Sequence, residues 1–233
     1  MTRDAALWAV VPAAGIGRRM GGETPKQYLK LNGRPVIEHS LALLQAYPRI
    51  ERVVVALADG DSWWRETAFS DHHKVERVTG GSERCHSVLN ALNTLAQVAD
   101  ADDWVLVHDA ARPCLRRSDL DKLINQLTDH PVGGLLGIPL HDTVKRADNA
   151  LQVVETLPRE SLWRAFTPQM FRYSLLRSAL TAALESGALV TDEASAIEFY
   201  GASPLLVEGA SDNIKITRPE DLPLAAFYLS QYH

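Results

Sequence analysis

The residues best placed to do chemistry lie between Ala9 and Tyr28, in AVVPAAGIGRRMGGETPKQY. Pro12 breaks an apolar run, and the chain then reads Ala13-Ala14-Gly15-Ile16-Gly17, Arg18-Arg19 and Pro25-Lys26. Small residues let the backbone approach a ligand closely, and successive turned N–H groups form an anion-binding concavity. Two arginines and a lysine add full positive charges to those dipoles, so the loop suits a polyphosphate. It is not a dinucleotide fingerprint. Met20 stands where the third glycine belongs, and no acidic residue closes the run Val54-Val55-Ala56-Leu57-Ala58. That argues against a nicotinamide-dependent dehydrogenase, and the absence of GK[ST] argues against a Walker-type loop. A second candidate is Asp109-Ala110-Ala111-Arg112, directly after the apolar Trp104-Val105-Leu106-Val107-His108. A third is Lys215, which sits between Ile214 and Ile216, where an unpaired ammonium is costly to bury. An anion is expected beside it.

Several other polar or bulky residues read as structural. His108 reads as packed or hydrogen-bonded, and Trp63 and Trp64 as cover for a sheet. His72-His73 lacks partners at zinc spacing. Cys85 and Cys114 form no CxxC and read as inert small residues of a protein kept in a reducing cytoplasm.

Strand and helix patterns alternate around these residues. Leu7 to Val11, Arg52 to Ala58, Val75 to Val78, Trp104 to His108, Gly134 to Leu140 and Leu205 to Val207 are apolar or β-branched runs, as in strands covered on both faces. Between them lie helical patterns. Pro35 to Ala46 carries Pro in its first turn, and Ser82 to Ala96 sets Val88, Leu92, Leu95 and Ala96 on one face. Ser118 to Leu127 starts like a capping box and carries the stripe Leu120, Leu123, Ile124 and Leu127. Phe171 to Ser186 stops at Gly187, and Thr217-Arg218-Pro219-Glu220 opens a last helix. The alternation predicts an α/β fold: a Rossmann-like, three-layer α/β/α arrangement around a mainly parallel, mixed twisted sheet. Ligands of such sheets sit beyond the carboxyl ends of the strands, so the Pro12–Lys26 and Asp109–Arg112 loops should converge there. Residues 141–160 alternate polar and apolar without a helical stripe and read as a protruding β-arm. The expectation is one domain over residues 1–233, with that arm within it.

The composition narrows the partners. At 233 residues the chain can bury roughly 70% of its unfolded surface. A net charge of −5 provides no general field for nucleic acid or an anionic membrane, so cations for a polyphosphate must be gathered locally. No apolar run approaches the roughly 20 residues of a membrane span. Residues 5–14 make a poor secretion signal, since they contain Pro12 and run straight into the Gly-Arg loop.

The motifs, taken in order, are VPAAGIGRRM…PKQYL, Gly80-Gly81-Ser82-Glu83-Arg84 with Ser87-Val88, His108 to Pro113, Asp142-Thr143-Val144-Lys145, Thr167-Pro168-Gln169, Thr191 to Ser195 and Asn213 to Thr217. Together they resemble the sugar-phosphate and polyol-phosphate nucleotidyltransferases, and within these the methylerythritol-phosphate cytidylyltransferases of the non-mevalonate isoprenoid pathway. The resemblance runs from residue 8 to about 228. It implies transfer of CMP from CTP to 2-C-methyl-D-erythritol 4-phosphate with release of pyrophosphate. Ribitol 5-phosphate is the alternative acceptor. By the same resemblance Arg19 and Lys26 match residues that stabilise the transition state. Arg159 and Lys215 match residues that hold the acceptor for in-line attack. Asp109, Arg112, Thr143, Lys145 and Thr167 match the acceptor pocket. Pro12, Ala13, Ala14, Gly15, Gly81, Ser82 and Ser87 match the cytidine site, and Gly17 and Ala110 belong with them to the nucleotide-binding set. Residues 141–160 match an arm that embraces a second subunit, which implies a homodimer with Thr143 and Arg159 acting in trans. Two positions depart from the usual pattern: Ser82, where an acidic residue is common, and Ala91, where Gly is common.

The chemistry so implied makes physical sense. A phosphate monoester has a second pKa of about 6, so the nucleophile is ionised at neutral pH without an activating base. The difficulty is bringing two anions together, which calls for fixed cations, backbone donors and a divalent metal. Mg²⁺ is expected on the triphosphate oxygens and water rather than on a protein carboxylate.

Overall fold

The computed structural model describes residues 5–15 and 24–231. The chain opens with β1 (Leu7–Ala13), buried almost throughout, as a strand covered on both faces must be. A 3-10 turn (Lys26–Tyr28) leads to a two-stranded ribbon, β2 (Lys30–Leu31) and β3 (Arg34–Pro35), and then to α1 (Val36–Ala46). Next come β4 (Ile50–Leu57), β5 (Val75–Thr79), α2 (Arg84–Leu95), β6 (Trp104–Val107), α3 (Arg117–Leu127) and β7 (Gly133–Pro139). A hairpin of β8 (Val144–Ala147) and β9 (Val153–Leu157) precedes β10 (Trp163–Arg172) and α4 (Tyr173–Ser186). The described chain ends with α5 (Glu193–Phe199), β11 (Leu205–Glu208) and α6 (Asp221–Ser230).

The central sheet has seven strands in the order β11-β7-β10-β6-β1-β4-β5. β10 runs antiparallel to β6 and β7, while the other neighbouring pairs are parallel. Alternate residues of β1 feed opposite layers. Ala9 and Val11 pack with Leu41 and Leu44 of α1 and with the α3 stripe. Trp8 and Val10 pack with Val88, Leu92 and Leu95 of α2, Leu176 and Leu180 of α4 and Ile197 of α5. The expected three-layer α/β/α architecture with a mixed sheet is therefore observed. Leu120, Leu123, Ile124 and Leu127 of α3 are all wholly buried, each contributing about 1.5–3 kcal/mol through apolar burial.

Some local expectations need correction. β10 was not separable in the sequence from the helix after it, and Phe171 belongs to this strand, not to α4. Pro168 lacks a ladder donor, and the pairing with β7 slips between Phe166 and Gln169, so no clean alternation is written there. Ser118 does not cap α3. The helix starts after Arg116, and the Asp119 side chain instead accepts from Ala210 N at 2.9 Å. Ala96 is the exposed C-cap of α2, and Pro35 is the N-cap of α1 rather than a first-turn residue. Thr217–Glu220 forms a turn held by Asp221 Oδ2 rather than helix. Trp64 is buried, whereas Trp63 is 37% exposed and stacks on Tyr28 at 6.3 Å. Helix α5 was not anticipated, although Asp192 and Ser195 form a reciprocal capping box at its start.

Candidate active site

Val10 of β1 lies opposite Val107 of β6, so the segments that follow these strands leave the same edge of the sheet. Ala56 and Leu57 of β4 likewise pair with Val78 and Thr79 of β5, which brings the β5–α2 turn alongside. One cleft forms between these loops. Pro12, Ala13, Ala14 and Gly15 line one wall, with Lys26 beyond them. Gly81, Ser82 and Ser87 line the second, and Asp109, Ala110 and Lys215 the third. The two glycines are needed for close approach. A Cβ on Gly80 would lie 2.5 Å from Ala14 Cβ, and one on Gly81 would lie 2.2 Å from His86 Cβ. Ser87 fixes the turn, accepting from Gly81 N at 3.0 Å and donating to Glu83 O at 3.1 Å. Gln27 ties the 3-10 turn to β1 by donating to Ala13 O at 2.8 Å.

Asp109 is the electrostatic centre of the cleft. Its Oδ1 accepts from Arg84 Nε at 2.9 Å, and its Oδ2 meets Lys215 Nζ at 2.7 Å and Arg112 Nε at 3.7 Å. Burial pushes its carboxyl up, but the Arg84, Lys215 and Arg112 charges outweigh that and hold it well below the usual carboxylate range. Arg84 turns its other two nitrogens to Glu193, which is wholly buried, at 2.6 and 2.9 Å. Burial opposes the Arg84 charge, yet these two carboxylates raise its pKa above the ordinary value. Lys26 Nζ donates to Ile216 O at 3.1 Å, and Ile216 N donates to Ala111 O at 2.8 Å. Lys26, Lys215 and the Asp109 loop are thereby laced into one wall. The anion expected beside Lys215 is, in this structure, Asp109.

Arg112 and Thr167 support that wall. Arg112 Nη1 donates to Asn213 O at 2.7 Å, with its guanidinium 5.6 Å from the Phe166 ring centre. Thr167 Oγ1 accepts from Asp109 N at 3.0 Å and faces His108 Nδ1 at 3.1 Å. His108 is a packed residue, as its sequence context indicated, and burial pushes its pKa down to about 4. Thr143, Lys145 and Arg159 are exposed on the hairpin segment and do not line the cleft of their own chain. There Lys145 donates to Thr156 Oγ1 at 2.6 Å and Arg159 to His141 O. Gly17 and Arg19 lie outside the described residues. The bridge from Arg84 to Glu193 was missed. Both residues stand in the motifs GGSER and TDEAS, and an acid at the head of a helix that turns apolar side chains inward was the available signal.

The 2-C-methyl-D-erythritol 4-phosphate cytidylyltransferase (IspD) family matches residues 7–231. The chain is 57% identical over 218 residues to the protein of that name from Pseudomonas syringae pv. tomato, spanning 93% of this chain and 92% of the relative. It is 53% identical over 223 residues to the one from Vibrio atlanticus, spanning 96% and 95%. The crystal structure of the Francisella tularensis protein of the same name is similar at a TM-score of 0.84 and 37% identity, spanning 96% of this chain and 100% of that one. Matched over residues 7–231 and more than half identical to these relatives across nearly its whole length, the chain belongs to the 2-C-methyl-D-erythritol 4-phosphate cytidylyltransferase family.

Proposed function

We propose that this chain transfers CMP from CTP to 2-C-methyl-D-erythritol 4-phosphate, giving CDP-methylerythritol and pyrophosphate for isoprenoid precursor synthesis. The observation that carries the reading is that Lys26 and Lys215, joined through the Lys26 bond to Ile216 O, line one cleft together with the small residues Pro12–Gly15 and Gly81. Cytidine sits against Pro12–Gly15, Gly81, Ser82, Ser87 and Ala110, whose backbone reads the pyrimidine. Gly17 and Arg19 complete the triphosphate loop, and Lys26 and Arg19 offset the charge that builds at the α-phosphorus. Lys215, held by Asp109, presents its ammonium to the acceptor phosphate, beside Arg112 and Thr167. The acceptor needs no base, because its phosphate is already ionised at neutral pH.

A divalent metal fits this arrangement as a passenger of the nucleotide. Asp109 spends both carboxylate oxygens on Arg84 and Lys215 and is not free to ligate, so Mg²⁺ would take its ligands mainly from phosphate oxygens and water. When bound there, the ion would supply Lewis-acid stabilisation of the charge on the phosphates.

The chain works as a single nucleotidyltransferase domain, with 141–160 as a dimerisation arm. Leu151, Val153 and Val154 expose apolar surface on that hairpin, which a second subunit would cover. In the dimer Thr143, Lys145 and Arg159 reach the partner's cleft. We place the reaction in the cytoplasm, where Cys85 and Cys114 remain thiols. No described helix is long and apolar enough to cross a membrane.

Pyrophosphate release, measured with CTP and equal concentrations of methylerythritol phosphate or ribitol 5-phosphate, tests the assignment. Faster turnover of methylerythritol phosphate is expected. A clear preference for ribitol 5-phosphate overturns it.

A further inference from the structure

Three metal-ligating side chains meet at the start of α2, outside the set assigned to the reactants. Among the described residues, the ligand atoms of Glu83, Cys85 and His86 lie within 4.8 Å of one another. Cys85 Sγ stands 3.9 Å from Glu83 Oε2 and 3.9 Å from His86 Nδ1. Tetrahedral zinc, with bonds of about 2.0–2.3 Å, needs ligand-to-ligand edges of about 3.3–3.8 Å, so small side-chain rotations close the triangle. Thiolate, imidazole and carboxylate together select a borderline-soft cation over Mg²⁺. Glu83 is exposed and also lines the cleft, which gives the ion an entry path, while buried Cys85 and half-buried His86 form the floor.

We propose that Glu83, Cys85 and His86 form a zinc site on the rim of the nucleotide cleft, and that filling it weakens CTP binding. The coupling runs through His86. Its Cβ packs on Gly81, where an added Cβ would lie 2.2 Å away, and its Nδ1 faces Ser82 Oγ at 3.4 Å. Turning Nδ1 onto a cation breaks the Ser82 contact and displaces the Gly81–Ser82 wall. A thiol must give up its proton to bind a cation. Loading replaces that proton: Cys85–SH and Zn²⁺ give the zinc thiolate, and H⁺ leaves to solvent. Only the effect on CTP rests on the cytidylyl-transfer reading; cation binding can be measured without it.

The first test is titration of the metal-stripped full chain with Co²⁺, read by thiolate-to-cobalt charge-transfer absorption. One equivalent should bind, Zn²⁺ should displace it, and Cys85→Ser or His86→Gln should lose the band. Cys114→Ser should keep it, because Cys114 is fully buried in a separate cluster. A missing band, or an equal band in a Cys85→Ser variant with unaltered thermal melting, overturns the site. The second test is turnover in excess Mg²⁺, where micromolar Zn²⁺ should raise KM for CTP roughly tenfold in the parent chain and not in Cys85→Ser. An unchanged KM with the cobalt band present overturns the coupling.

Discussion

His108 is buried with both ring nitrogens engaged, and its partners allow one consistent arrangement of protons. Arg112 O can only accept, so Nε2 carries the hydrogen. Nδ1 of the neutral ring is then the acceptor, so the Thr167 hydroxyl, which takes Asp109 N on one lone pair, donates its proton to it. Burial penalises the charge that a second ring proton would bring. The folded pKa is therefore about 4, below the usual 6.5. A depressed histidine pKa means that the unfolded chain binds more protons. The stability this neutral ring preserves is complete above pH 6.5 and is lost as pH falls toward 4. The loss should approach about 3 kcal/mol, from the size of the shift. Urea midpoints at pH 7.0 and 4.5 check this, and a His108→Gln variant should show a smaller difference between the two. At the same scale, Lys215→Ala should lower kcat by about 10²–10³-fold. It should leave the thermal midpoint nearly unchanged, since Asp109 keeps Arg84 and Arg112. Turnover at saturating CTP checks it, and near-parental kcat would remove Lys215 from the reaction. The need for an anion beside Lys215 was legible in the sequence because Ile214 and Ile216 flank it. The identity of that anion was not, because Asp109 is distant in the chain and only the fold brings it within 2.7 Å.

Helices α2 and α5 begin next to one another, and their first residues, Arg84 and Glu193, close the gap between them. The pair joins the β5–α2 turn, the loop after β6 and the head of α5 into one rigid unit behind the cleft. Removing one partner of a buried ion pair leaves an uncompensated charge, at a cost of about 3–5 kcal/mol. Glu193→Ala should lose that much stability in a urea melt. Glu193→Gln, which keeps one acceptor, should lose less, and equal melts for parent and Glu193→Ala would mean that the pair contributes nothing net. Legibility at this scale followed periodicity. The stripe of α3 was readable because four leucine-sized residues recur at helical spacing and nothing competes for the pattern. β10 was not, since Pro168 interrupts it and its apolar end runs directly into α4 without a turn signal. α5 spans seven residues, too few for a periodicity to emerge, so only its cap could have marked it.

Convergence of the loops follows from the sheet itself: parallel neighbours β1 and β6 deliver their carboxyl ends to one edge, and the chain order alone predicted this. The remainder of the proposed site was not legible as geometry, because residues 141–160 leave the sheet and carry Thr143, Lys145 and Arg159 away from their own cleft. A hairpin that exposes Leu151, Val153 and Val154 gains little by standing alone in water, and a two-stranded ribbon is marginal in isolation. Both facts favour a partner surface. If the arm completes the partner's site, Lys215→Ala disables a site from within the subunit, while Arg159→Ala disables the site across the dimer. Each homodimer is then inactive for a different reason. A mixed dimer has one site with both substitutions and one with neither. Random reassortment of equal amounts makes half of the dimers mixed, so about a quarter of all sites become intact. Activity should rise toward about a quarter of the parental value as subunits exchange, with exchange followed independently by pull-down of differently tagged chains. If each arm serves its own subunit, every site in the mixture lacks one group, and activity stays at the level of the separate variants however complete the exchange.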